Sequence, residues 1–177
     1  QAVCTEDFVN AMSAAADFDF DQFSLWYSQR GTPTVEVSSM YDQEDQSYTL
    51  TFAQKSSYSN EDQQKPFLIP IQLALFTAHG NEVPLSNKEG EPEETILLSS
   101  QQQTVTYQNI KEKPIPSILR NFSAPVILNY DYKDNELAVL SAYDTDPFNR
   151  WESSQRLALK TILINIDRIQ RKILPDY

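Results

Sequence analysis

The longest apolar run in the chain is Phe67 to Phe76, Phe-Leu-Ile-Pro-Ile-Gln-Leu-Ala-Leu-Phe, and the other periodic segments fall on either side of it. Pro70 would break a helix interior at a cost of about 3 kcal/mol, whereas the start of a strand or a bulge accepts it. The run therefore predicts a strand buried inside a sheet. Upstream, Val35 and Val37 alternate with Thr34, Glu36 and Ser38; then, after polar Asp42 to Gln46, Tyr48, Leu50 and Phe52 alternate with Thr49, Thr51 and Ala53. A period of two on both sides of a polar turn predicts a β-hairpin. Ser56 to Lys65 and Asn87 to Glu94 read as polar loops, and His79, Gly80 and Asn81 as the turn that leaves the central strand. Ile96 and Leu98 mark a short strand, Thr104 to Tyr107 the next with Val105 and Tyr107 on one face, and Val126, Leu128 and Tyr130 the last. Pro114 and Pro116 exclude both helix and central strand, so Lys111 to Ser117 should follow a sheet edge or cross between sheets. At least six short strands at roughly ten-residue spacing predict a two-sheet antiparallel sandwich.

The period is helical at both ends. Thr5 is a plausible N-cap before acidic Glu6 and Asp7, with Phe8, Met12 and Ala15 at helical spacing, which predicts a helix over 6–16. Phe23, Trp26 and Tyr27 share a face of a second short helix that Gly31, Thr32 and Pro33 terminate. Beyond Asp131, Asp134 can cap a helix containing Leu137 and Leu140, and Asp146 can cap a long one with Pro147 at its first position. Leu159, Ile162, Ile166, Ile169 and Ile173 then repeat at three and four up to Pro175. Such a stripe needs a cover, and the expectation is that further helices supply what the sandwich does not. With no initiator Met and an unpartnered apolar helix at the end, the chain is expected to be a segment of something longer.

Composition narrows the function classes. A chain of 177 residues buries roughly 70% of its unfolded surface, enough for one real core. The formal net charge of -11 argues against nucleic acid, which requires clustered Lys and Arg. Cys4 is the only cysteine, so no intrachain disulfide forms and a disulfide-stapled secreted module is excluded. No apolar run has the roughly 20 residues of a membrane span, and Glu6, Asp7, Asp17, Asp19 and Asp21 stand where a signal peptide would be basic and then apolar.

No reactive constellation emerges. His79 is the only histidine, so a His-Glu-x-x-His zinc pair cannot be built. Cys4 has no base near it in sequence. Gly31, Gly80 and Gly90 are scattered, so no phosphate-cradling loop exists. Asp17, Asp19 and Asp21 imitate the opening of a calcium loop, but Gln22 and Ser28 stand where it needs glycine and an acid; acidic capping is the simpler account. Asp144 with Asp146 has the makings of an acid and base pair, again better explained by capping. Asn121-Phe122-Ser123 is a glycosylation sequon, meaningful only in a secreted eukaryotic chain. Trp26 with Tyr27, and Trp151 with Phe148, suggest a sugar or peptide platform, although their helical, amphipathic setting favours core packing.

Three stretches, in order and spacing, resemble the bacterial aminopeptidase N family of zinc-dependent alanyl aminopeptidases: Trp26 to Pro33, W-Y-S-Q-R-G-T-P; Pro114 to Val126, P-I-P-S-I-L-R-N-F-S-A-P-V; and Asp146 to Glu152, D-P-F-N-R-W-E, leading to Gln155 and Arg156. Asp7 to Met12, Tyr48 to Gln54 and Lys65 to Ile71 support them, so the resemblance runs from about Cys4 to Arg156. Family members consist of an N-terminal β domain, a thermolysin-like catalytic domain, a small Ig-like sandwich and a large C-terminal helical domain. The resemblance implies that residues 1–30 are helices like those ending the catalytic domain, 31–132 the Ig-like β-sandwich, and 133–177 the opening helices of the C-terminal domain. The family's G-A-M-E-N and H-E-x-x-H motifs have no counterpart here. It follows that no catalytic, cofactor-binding or metal residue is assigned to any position, and that zinc belongs to the parent enzyme alone. The implied function is a non-catalytic spacer, inactive alone, in a cytoplasmic metallo-aminopeptidase that removes N-terminal amino acids from peptides. Its expected partners are the catalytic and C-terminal helical domains of the same parent, with peptide as the parent's substrate, no nucleic acid, no membrane and a monomeric state. The alternative is a free-standing Ig-like module for protein or carbohydrate. An independent hydrolase is disfavoured, since every nucleophile lacks its base.

Overall fold

A computed structural model describes residues 4–16, 19–55, 65–85 and 93–171. Asp17, Gly90, Ile173, Pro175 and most of both polar loops lie outside the described residues. After helices α1 (Thr5–Ala16) and α2 (Leu25–Ser28) come strands β1 (Thr34–Asp42), β2 (Ser47–Lys55), β3 (Ile69–Phe76), β4 (Glu82–Val83), β5 (Glu93–Leu98), β6 (Gln102–Tyr107), β7 (Ile115–Ile118) and β8 (Ile127–Asn129). A 3-10 turn (Arg120–Phe122) separates β7 from β8, and helices α3 (Asp134–Tyr143) and α4 (Pro147–Gln170) follow.

The strands form two sheets, one in the order β6-β2-β1-β8 and the other built on β3, which pairs with β4, β5 and β7. The hairpin is in the expected register, Val35 opposite Gln54 and Val37 opposite Phe52. Val35, Val37, Tyr48, Leu50 and Phe52 are buried, as alternation requires of a strand with one wet face. Between the sheets they meet Ile69, Ile71, Leu73, Leu75, Ile96, Leu98 and Tyr107. The sandwich is thus as expected, with one pairing of a different kind: β8 runs parallel to β1, Thr34 opposite Ile127. A parallel neighbour needs a long crossover, and the chain makes one by traversing the second sheet before returning to the first.

The central strand explains the third layer. Along β3 the burial alternates at first, with Pro70 and Gln72 half-exposed on the outer face, and then all four of Leu73, Ala74, Leu75 and Phe76 are buried. The change marks where helices cover the sheet. Ala74, Phe76 and Ile115 pack outward against Leu140, with Tyr132 and Val139 beside them. Pro70 lies one residue into the strand. Pro116 sits in β7, which pairs only with β3 among the described strands, so its missing N–H faces no neighbour. Pro114 to Arg120 are nonetheless all buried, because α3 and α4 cover that edge.

Two helix starts differ from expectation. Cys4, not Thr5, caps α1: its amide donates to Asp7 Oδ2 at 3.0 Å. Lys133, not Asp134, caps α3, its amide donating to Glu136 Oε2 at 2.9 Å. In both, a carboxylate three residues on reaches back to the cap amide, so the cap's own side chain is not required. Asp146 caps α4 as expected, its Oδ1 accepting from the Asn149 amide at 2.8 Å. Of the α1 stripe, Phe8 and Met12 are exposed and Val9 is the buried residue. The α4 stripe is bare too, with Leu159, Ile162, Ile166 and Ile169 between 45% and 64% exposed. Only Asn149 and Ser153 of that helix are buried, so it does not lie along the sandwich.

Candidate functional site

The most organised polar chemistry lies at two joints, one at each end of β3. At the first, the chain approaching β3 is too irregular for ladder bonding, and side chains receive its carbonyls in turn. Gln29 Nε2 donates to Lys65 O at 2.9 Å, Gln22 Nε2 to Pro66 O at 3.0 Å, Gln54 Nε2 to Phe67 O at 3.0 Å, and Trp26 Nε1 to Leu68 O at 2.9 Å. Gln29 and Gln54 also accept from the amides of Lys65 and Phe67, at 2.9 and 2.7 Å, so each amide side chain replaces a missing strand neighbour. Trp26 stacks at 4.7 Å on Phe67. The segment around α2 is thereby fixed to the sandwich through neutral groups.

The second joint is ionic, with Arg120 and Asp144 buried at its centre. Arg120 is the one buried basic residue among those described, 2% exposed, and it reaches from the end of β7 into the link between α3 and α4. Its Nη1 donates to Asp144 Oδ1 at 2.8 Å and its Nη2 to Thr145 Oγ1 at 2.6 Å, while Cζ lies 5.7 Å from the centre of the Phe76 ring. Ser117 Oγ donates to the other oxygen of Asp144 at 2.6 Å, and Asn149 Nδ2 donates to Ser117 Oγ at 2.7 Å and to Ile118 O at 3.0 Å. Asp146 accepts from the Asn149 amide with one oxygen and from the Asn121 amide, at 3.2 Å, with the other. Burial raises the Asp144 pKa above its ordinary value, against the lowering effect of Ser117, the Asp146 amide and Arg120. Leu119, Asn121 and Phe122 are held at φ of +61°, +54° and +52°, a left-handed conformation that persists only where surrounding contacts over-determine it.

None of these groups is arranged for turnover. Asp144 and Asp146 do come together, but one neutralises Arg120 and the other caps α4. His79 is exposed in its turn, with its amide on Thr77 Oγ1 at 3.3 Å. A hydrogen bond with the Asp7 backbone favours the Cys4 thiolate, but the carboxylates of Asp7 and Glu6 outweigh it and raise the thiol's pKa, the reverse of nucleophile activation. Asp19 accepts from the Asp21 amide in a local turn. Asn121 Nδ2 and Ser123 Oγ both bind Gln72, so the sequon residues have structural partners. The tryptophans divide: Trp26 packs against the core as expected, whereas Trp151 is 55% exposed, lying 5.9 Å from Phe148, which lies 5.3 Å from Phe122. Tyr27 is exposed as well, an amphipathic helix end having no second layer over it. Among the described residues no three or more His, Cys, Asp or Glu side chains converge as a metal site. No helix among them is long and apolar enough to cross a membrane.

Arg120, Ser117, Asn149 and the three glutamines carry no sequence motif of their own. They do fall in or beside the quoted stretches: W-Y-S-Q-R-G-T-P builds the first joint, and P-I-P-S-I-L-R-N-F-S-A-P-V meets D-P-F-N-R-W-E in the second.

Comparison with known proteins follows the same line. The family described as "Domain of unknown function (DUF3458) Ig-like fold" matches residues 31–131, and a second, "DUF3458_C", described as ARM repeats, matches residues 134–176. The chain is 37% identical over 172 residues to aminopeptidase N of Escherichia coli, 35% over 172 residues to that of Haemophilus influenzae, and 38% over 164 residues to that of Caulobacter vibrioides. The first two alignments take in 96% and 97% of this chain but 20% of each relative, so the chain spans about one fifth of their length. Among solved structures, aminopeptidase A of Legionella pneumophila in complex with aspartic acid superposes with a TM-score of 0.80 at 28% identity, over 99% of this chain and 19% of that one.

Proposed function

The chain belongs to the DUF3458 Ig-like domain family, and from that premise we propose that it is the non-catalytic spacer of a zinc metallo-aminopeptidase. One observation carries the reading. The sandwich holds the α2 segment at Phe67 and Leu68, immediately before β3, and the α3–α4 pair at Ala74 to Phe76 toward the strand's far end, two specific attachments with most of one eight-residue strand between them. A strand buried on both faces at one end and clasped by side chains at the other is suited to fixing a distance. The two attached pieces are the ones whose resemblance is to the catalytic and C-terminal helical domains, which are the proposed partners. The bare α4 stripe supports this: ARM repeats bury their apolar faces by stacking on the next repeat, and following helices of a longer chain would cover Leu159 to Ile169. The free-standing module would require self-contained end helices, and exposed Phe8, Met12 and α4 stripe argue against it.

In this reading the parent is a cytoplasmic enzyme that removes N-terminal residues from peptides, with its zinc held outside this segment. The chain by itself will neither retain zinc after dialysis nor hydrolyse an alanine-linked chromogenic amide. Stoichiometric zinc with turnover would overturn the proposal. So would full activity of the E. coli aminopeptidase N after the stretch matching 31–131 is replaced by a flexible linker of equal reach; loss of activity with zinc retained is the expected result.

A further inference from the structure

We infer that the Arg120 joint is an elbow lock: its two-pronged grip on Asp144 and Thr145 selects one angle between the sandwich and the α3–α4 pair. The apolar contact beneath it is small and forgiving. Ala74, Phe76, Ile115 and Leu140 form the whole buried cluster, and such surfaces tolerate sliding, whereas hydrogen bonds to a planar guanidinium do not. The lock's parts come from four elements. Ser117 and Arg120 lie on the edge strand and the turn after it, Asp144 and Thr145 form the α3–α4 link, Asn149 and Asp146 belong to the first turn of α4, and Glu82 of β4 accepts from Thr145 and lies 3.9 Å from Arg120 Nη2. These bonds run between the sandwich side and the helix side or order the link itself, since the Asp146 amide also donates to Asp144 Oδ1 at 2.9 Å. Burying a charged pair adds little net stability compared with apolar side chains of like size; its best-attested return is a unique register. The strained residues at 119–122 fit that role, because a rigid, over-determined turn presents Arg120 in a single orientation.

The importance of the lock rests on the spacer reading, but its test needs this chain alone. Spin labels at exposed Gln43 and Ala158, in a Cys4→Ser background, report the distance from the hairpin tip of β1 and β2 to the long helix by double electron–electron resonance. The decisive variant is Arg120→Met with Asp144→Asn, which removes both charges and keeps one carboxamide oxygen as the acceptor for the Asp146 amide, while its NH2 group faces the Ser117 hydroxyl. The expected result is cooperative unfolding with a distance distribution that is about twice as wide as the parent's, or split in two, as two populated angles require. An unchanged narrow distribution in that folded variant overturns the lock. If it does not fold, Arg120→Lys decides: it keeps the charge and loses the fork, and an unchanged width refutes the inference. A narrow distribution would leave the spacer reading standing, and full activity of a longer relative carrying the linker replacement would overturn the spacer reading while leaving these distances as they are.

Discussion

Gly80 offers a sharp test of how the helix pair sits on the sandwich. It occupies the turn from Thr77 to Asn81 at φ of +81°, and a Cβ built there would lie 2.2 Å from Cγ of Tyr143, the last residue of α3, and 2.5 Å from its Cβ and Cδ2. Gly80→Ala therefore carries two penalties. Placing an L-residue in the left-handed region costs roughly 1–2 kcal/mol. Overlap with Tyr143 adds about 1–3 kcal/mol, because the exposed ring can swing outward but its Cβ is fixed to the backbone and the end of α3 must give way. A loss of about 2–5 kcal/mol is expected from urea unfolding with unchanged slope. Repeating the substitution in a Tyr143→Gly background, which removes Cβ as well as the ring, abolishes the overlap and leaves the backbone penalty, about 1–2 kcal/mol. The double-mutant cycle should accordingly show a coupling of at least about 1 kcal/mol. Equal losses in the two backgrounds would mean that the Tyr143 ring does not lie on the turn, and the described seating of α3 would be wrong.

Three further outcomes follow from the joints. Gln54→Ala leaves the buried Phe67 amide and carbonyl without partners and should cost about 2–4 kcal/mol in equilibrium unfolding; a loss below about 1 kcal/mol would show that water replaces the side chain. Asp146→Ala removes the α4 cap and the acceptor for Asn121, with an expected loss of about 1–2 kcal/mol and faster amide exchange confined to the first turn of α4; unaltered exchange there would refute the cap. For Asp144, whose folded pKa is raised, the folded state binds the proton more tightly than the unfolded chain, so the carboxylate form lowers stability above the folded pKa and the penalty fades as pH falls toward 3.8. The stability of the parent relative to Asp144→Asn should consequently rise on acidification from neutral pH, and a fall instead would mean that the Arg120 charge outweighs burial.

Much of this architecture is legible in the sequence because it depends on local periodicity. Val35, Val37, Tyr48, Leu50 and Phe52 declare the hairpin, and Asp146 followed by Pro147 declares the start of α4, since each signal is complete within a few residues. The cap residues Cys4 and Lys133 were displaced by one position because the decisive group is the acid three places on. The parallel β8 and the strand order depend on contacts between remote residues, which no local pattern encodes. The second joint is the extreme case. An arginine in a loop reads as solvated, and only the meeting of β7 with the α3–α4 link encloses Arg120. What the sequence does carry is proximity of the joints to the stretches that resemble a known family.

Those stretches gain a common physical meaning from β3. Its inward residues Ile69, Ile71, Leu73 and Leu75 belong to the core between the sheets, while Ala74 and Phe76 belong to the core under α3. A slip of one residue would exchange the two faces and place Gln72 between the sheets, so the strand moves as a rigid piece or not at all. The glutamines at 22, 29 and 54 fix where that piece begins, and Arg120 with Asp144 fixes what is seated near its end. The first joint is the denser of the two in backbone contacts, since four successive carbonyls, from Lys65 to Leu68, each have a side-chain donor where no neighbouring strand supplies one.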